Sequence, residues 1–190
     1  MRTVKRDLLA LITLTLLGAL SLAGCAPAPA PQASETNGPT EAPVFASDEE
    51  ALAAATEAYA AYLAAGDAAQ ESGTSSRELF LSLSSGEAHE QDLAVGASFA
   101  EKGWKQIGST SFDSMAIQSA EINADENWEV NAYVCLDVTN TDIVDSSGTS
   151  VSKSDRTLRL PLIVAFVGTD RSGDYLQITE SRVWSGSNFC

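Results

Sequence analysis

The chain has 190 residues, with 11 Lys+Arg against 26 Asp+Glu, a formal net charge of −15 and 44% hydrophobic residues. So acidic a surface repels nucleic acid phosphate and anionic lipid head groups, which excludes nucleic acid and membrane as partners held by charge. One histidine and three cysteines, with no Cys-x-x-Cys spacing, leave no zinc ligand set and no dithiol motif, so no metal and no other cofactor is expected.

Residues 1–24 read as an export signal. Arg2, Lys5 and Arg6 supply a positive start, and the run 8–22 is apolar apart from Thr13, Thr15 and Ser21. It is short for a bilayer span, which takes about 20 residues. Leu22-Ala23-Gly24-Cys25 resembles a bacterial lipobox, in which the cysteine sulfur is acylated and the chain is cut before it. A plain secretory signal cut near Ala23 is the alternative. Two or more acyl chains anchor stably where a single chain binds marginally. The expectation is a signal peptide followed by a palmitate-bearing lipoprotein that begins at Cys25, on the extracytoplasmic face of the cell membrane. The signal removes three basic residues and one acidic residue, so what remains is more acidic still.

Residues 25–46 hold five of the six prolines, in Ala-Pro repeats followed by polar residues, and show no apolar periodicity. Such chain favours extended polyproline II at about 3.1 Å per residue and reads as a spacer. Residues 47–190 remain for one domain with one core.

Ser47-Asp48-Glu49-Glu50 is a capping box that opens a first helix, with Leu52, Ala55, Tyr59, Tyr62 and Leu63 on one stripe and Gly66 as its end. A second box, Ser75 to Glu78, opens a short helix that closes by Gly86. A third helix is expected over about 87–102, although Gly96 lies inside it. After Trp104 the apolar period changes from helical to two. Residues 105–120 read as a strand with a bulge near Ser111. From Trp128 to Thr139 the even positions are apolar, while the odd ones carry Glu129, Asn131, Tyr133, Cys135 and Asp137. Asp145-Ser146-Ser147-Gly148 makes a turn. Residues 158–167 then alternate and become apolar on both faces, as suits a strand that is central or covered twice. The last strand, 175–184, needs a phase slip near Ser181.

Three helices before a four-stranded antiparallel meander predict an α+β fold with the helices on one face of a curved sheet. Gly103-Trp104 before the first strand, the run Tyr133-Val134-Cys135-Leu136-Asp137-Val138, and a terminal Trp184-Ser185-Gly186 closely followed by Cys190 resemble small NTF2-like lipoproteins of actinobacteria. The resemblance implies an NTF2-like or cystatin-like cone enclosing a pocket, used by some members for isomerase or dehydratase chemistry and by others for binding.

His89 has neither a nucleophile-elbow serine nor a second histidine with which to build a triad or a metal site, and reads as an exposed helical residue. Asp137 as base and Tyr133 as hydrogen-bond donor, four apart on one strand face, are the catalytic pair of the alternative function, a pocketed isomerase or lyase acting on a small apolar substrate. The favoured function is a non-catalytic binding or interaction domain of the cell envelope, with a small molecule or an envelope protein as its ligand. With Cys25 acylated, Cys135 and Cys190 either pair or stay idle. Export favours a disulfide that would draw the tail over the face of Tyr133 and Asp137, against the alternative of a buried thiol and a frayed end.

Overall fold

In the computed structural model, residues 45–71, 74–168 and 175–190 are described. The export signal, Cys25 and all of the 25–46 spacer except Phe45 and Ala46 lie outside the described residues. Three helices come first: α1 (Asp48–Glu71), α2 (Thr74–Ser82) and α3 (Gly86–Lys102). Six strands follow: β1 (Lys105–Gly108), β2 (Ser111–Ile122), β3 (Trp128–Asp137), β4 (Thr141–Val144), β5 (Arg159–Gly168) and β6 (Leu176–Val183). The fold is α+β. An open antiparallel sheet in the order β2-β3-β5-β6 carries the helices on one face, and β1 pairs with β4 as a separate ribbon.

The capping box forms in modified shape. Ser47 Oγ accepts from the Glu50 amide at 3.3 Å, and the Glu50 carboxylate reaches one residue further back, accepting from the Ala46 amide at 2.6 Å. Two otherwise unpaired donors are thereby satisfied at the helix entry. Just before them Phe45 is 8% exposed, and its ring meets Trp128 edge-on at 5.3 Å. The domain therefore begins at least two residues earlier than 47, and the spacer ends before Phe45, because one large ring is worth more buried than solvated.

Gly66 does not end α1, which runs to Glu71. A Cβ at Gly66 would stand 3.1 Å from the Phe80 ring, so this glycine admits α2 rather than breaking α1. Gly103 does end α3: at φ 64° it donates to Ala100 O, while Trp104 N donates to Phe99 O at 2.9 Å. This left-handed closure sets the Phe99 and Trp104 rings edge to face at 6.2 Å.

Even-numbered residues of β3 and β5, and of β6 as far as Ile178, face the helices. Val130, Val134, Val164, Phe166 and Ile178 are fully buried there with Ala51, Ala55 and Tyr59 of α1. Tyr59 meets Phe112 and Phe166 edge-on at 5.0 and 6.3 Å. On the other face Cys135, Ile163 and Ala165 are buried as well, and the tail lies there. Cys190 is joined to Cys135, with their Cα atoms 5.5 Å apart, and Phe189 and Trp184 pack on Tyr133 at 5.8 and 5.3 Å. The doubly apolar half of β5 is thus central in the sheet, between β3 and β6.

Two strand expectations shift. Residues 105–120 are not one strand: β1 leaves for β4 and β2 starts at Ser111, with irregularities between Asp113 and Ala116 and between Ile117 and Ser119. Gly108, at φ 82°, makes the crossing possible, because any side chain there would run into the Asn140 carbonyl. In β6 the slip falls at Thr179, where Ala165 pairs with Glu180 and Phe166 with Ile178, rather than near Ser181.

Candidate functional site

A cavity of about 360 Å³ opens between the ends of the three helices, away from the sheet residues singled out as an alternative catalytic pair. Tyr62 and Asp67 of α1, Arg77 and Phe80 of α2, and Asp92 and Phe99 of α3 line it, and Trp104, Gln106 and Thr110 close one side. The walls follow from local structure. Tyr62 and Phe80 approach to 5.1 Å because Gly66 offers no side chain between α1 and α2, and Trp104 is turned in by the left-handed step at Gly103. Lys102 Nζ sits 4.4 Å from the centre of the Trp104 ring, a cation–π contact that holds the indole from outside.

Both carboxylates of the lining are engaged by protein donors. Asp67 accepts from Thr110 N at 2.8 Å, Thr110 Oγ1 at 2.9 Å and Gln106 Nε2 at 3.0 Å, which ties the last turns of α1 to the corner between β1 and β2. Asp92 accepts from Tyr62 Oη and from Ser84 Oγ, each at 2.7 Å. Burial, then the bond to Asp92, pushes the Tyr62 phenol well above its ordinary range, so it remains a neutral donor.

His89 is half-buried rather than exposed. Its Nδ1 lies 3.0 Å from the Leu81 carbonyl oxygen, to which the ring N–H donates, and 3.4 Å from Ser84 Oγ. Ser84, His89 and Asp92 thus come together without forming a triad. A working triad has serine donating to histidine and the carboxylate orienting the ring, whereas here serine donates to the carboxylate and the ring is oriented by a backbone carbonyl. Among the described residues no group of three or more His, Cys, Asp or Glu could hold a metal ion.

Tyr133 and Asp137 share the face of β3 that turns away from the helices, and neither lines the cavity. Tyr133 is packed between Trp184 and Phe189. Asp137 accepts from the Thr139 amide at 2.8 Å and from Arg159 Nη1 at 2.9 Å, and Arg159 also bridges to Asp113 at 2.8 Å. Hydrogen bonds from Thr139 first, and then Arg159, hold Asp137 below the usual carboxylate range. A carboxylate stabilised in its charged form outside an apolar enclosure makes a poor base, which is the reverse of what the isomerase alternative required.

The cavity residues had no common motif to mark them, being spread from Tyr62 to Thr110. The one signal available was the pair of glycines inside helices. Gly96 accommodates Arg77, whose guanidinium lies where a Cβ would be. A glycine inside a helix with no cap role points to close approach by something else.

Among the described residues no helix is long and apolar enough to cross a membrane. No family model matches the chain, and no curated protein matches it. Among solved structures, the intermembrane space region of chloroplast protein ARC6 is similar over 71% of this chain and 97% of its own, with 14% identity and a TM-score of 0.49. A periplasmic fragment of TraM is similar over 74% of this chain and 100% of its own, with 13% identity and a TM-score of 0.46. At these identities and scores neither likeness bears on function.

Proposed function

We propose that the protein is a non-catalytic lipoprotein domain of NTF2-like type, anchored through Cys25 on the extracytoplasmic face of the cell membrane, which binds a small ligand in the cavity between its helices. The observation that carries the reading is the cavity itself. At about 360 Å³ it has the size of a small-molecule site, four aromatic rings stand among its mixed apolar and polar walls, and its two carboxylates are already engaged. Anchoring is supported by the order of charged start, apolar run and Leu-Ala-Gly-Cys in the sequence, and an oxidising compartment by the pairing of Cys135 with Cys190. The NTF2-like assignment is supported by three helices preceding an antiparallel meander. The isomerase or lyase alternative is not favoured, because Asp137 is ion-paired and lies outside the cavity.

The test is a melting-temperature screen of small ring compounds against the full chain and against Ala69→Trp, which fills the cavity from α1. Compounds that raise the melting temperature of the parent are expected to leave the filled variant unmoved. Equal stabilisation of both, or no stabilisation of either, would overturn the reading.

A further inference from the structure

Asp67 and Asp92 each have both oxygens engaged by donors of the protein itself, so their charge is already stabilised without a ligand. Arg77 is the only cationic side chain among the described residues of the lining, and among the described residues it has no ion-pair partner and no hydrogen bond. Arg77 is solvent-exposed at the cavity edge, and its planar fork of five N–H donors has no protein acceptor among the described residues to displace before a ligand can take it. The guanidinium is held at the wall because residue 96 is glycine: its Nη1 and Nη2 lie against the α3 backbone where any larger residue would put its Cβ.

We infer that the cavity takes a small aromatic or alicyclic carboxylate, with the rings of Tyr62, Phe80, Phe99 and Trp104 against its apolar body and Arg77 against its carboxylate. The inference rests on the proposed binding role of the cavity and names its ligand class. The two oxygens of a carboxylate match one edge of a guanidinium, and the cavity volume limits the body to about one or two fused rings. The chain is strongly acidic overall, so selection for an anion has to come from this local cation rather than from the field of the whole molecule.

The experiment titrates the full chain, in detergent micelles, with three naphthalene probes of one shape: the carboxylate, the primary amide and the aminomethyl cation. Expected is binding of the carboxylate at least about tenfold tighter than the amide, and weakest binding for the cation. Arg77→Gln should cost the carboxylate far more than the amide and abolish the preference between them. Gly96→Ala should do the same, because the atom it displaces is the far end of a flexible side chain and the helix itself is not disturbed. Equal binding of all three probes, or a carboxylate preference that survives Arg77→Gln, would overturn the anion assignment and leave the cavity a binding site. Binding of none of them would overturn both.

Discussion

At the scale of single residues, one buried tyrosine, one half-buried tyrosine and one helical glycine set conflicting demands. Burial raises the phenol of Tyr59 above its ordinary value of 10.0, as burial and Asp92 do for Tyr62. A group whose folded value lies above its unfolded one contributes stability that is complete below the unfolded value and is lost as pH rises beyond it. Denaturant melts should therefore show stability falling from about pH 10 upward, by up to about 1.4 kcal/mol per pH unit for each tyrosine. Tyr59→Phe should flatten that slope, and an unchanged slope would remove Tyr59 as its source. Gly66 poses the opposite choice. Alanine there would gain about 1 kcal/mol of helix propensity, and the Phe80 ring, half-buried at a cavity, has room to move the few tenths of an ångström required. Gly66→Ala is expected to raise the melting temperature while weakening cavity probes, because Phe80 shifts into the space they need.

At the scale of elements, the terminal tail is the piece whose removal reads out most directly. Its last backbone bond to the sheet is from the Trp184 amide to the Pro161 carbonyl at 2.8 Å, yet Phe189 and Trp184 cover Tyr133, and Cys190 is joined to Cys135 in β3, a central strand of the sheet. The cross-link spans 55 residues, and a chain-entropy argument gives a loop of that length about 4 kcal/mol, with strain and residual unfolded structure reducing it. Replacing both cysteines by alanine should lower stability by a sizeable part of that figure and quicken amide exchange in Ser185–Phe189. Retention of full stability would show that the rings alone hold the tail. The pairing was legible in the sequence because only two cysteines follow the proline-rich stretch and both faces of β3 could be read from strict alternation. The alternation also gave β5, since a strand apolar on both faces must be covered twice. What could not be read was the parting of β1 from β2: Ser109-Thr110 carries no breaker, and the glycine that permits the crossing, Gly108, is required by contact with Asn140, far along the chain. The four residues of β4 are too few to show a period. The cavity was hidden for a related reason, as its walls are ordinary residues of three helices and of the corner around β1 until the fold brings them together.

At the scale of the whole molecule, the question is where the spacer stops and the folded domain starts. Composition alone would place residues 25–46 outside the fold, because prolines and polar residues offer little to bury. Phe45 is the exception. It is buried against Trp128, and the next amide, that of Ala46, is bound by Glu50, so the last two residues of the stretch clamp the start of α1 onto the sheet. Two deletions separate the roles. Removing 26–43 from the full chain should leave the melting temperature unchanged. Removing 26–46 takes Phe45 as well, and the loss of a large aromatic from a core typically costs about 3 kcal/mol, to which the lost bond from Ala46 adds about 1 kcal/mol. Phe45→Ala in the undeleted chain should reproduce most of the second effect. Were both deletions to leave the melting temperature unchanged, Phe45 would be a passenger on the sheet, and the domain would begin with the serine of the capping box after all.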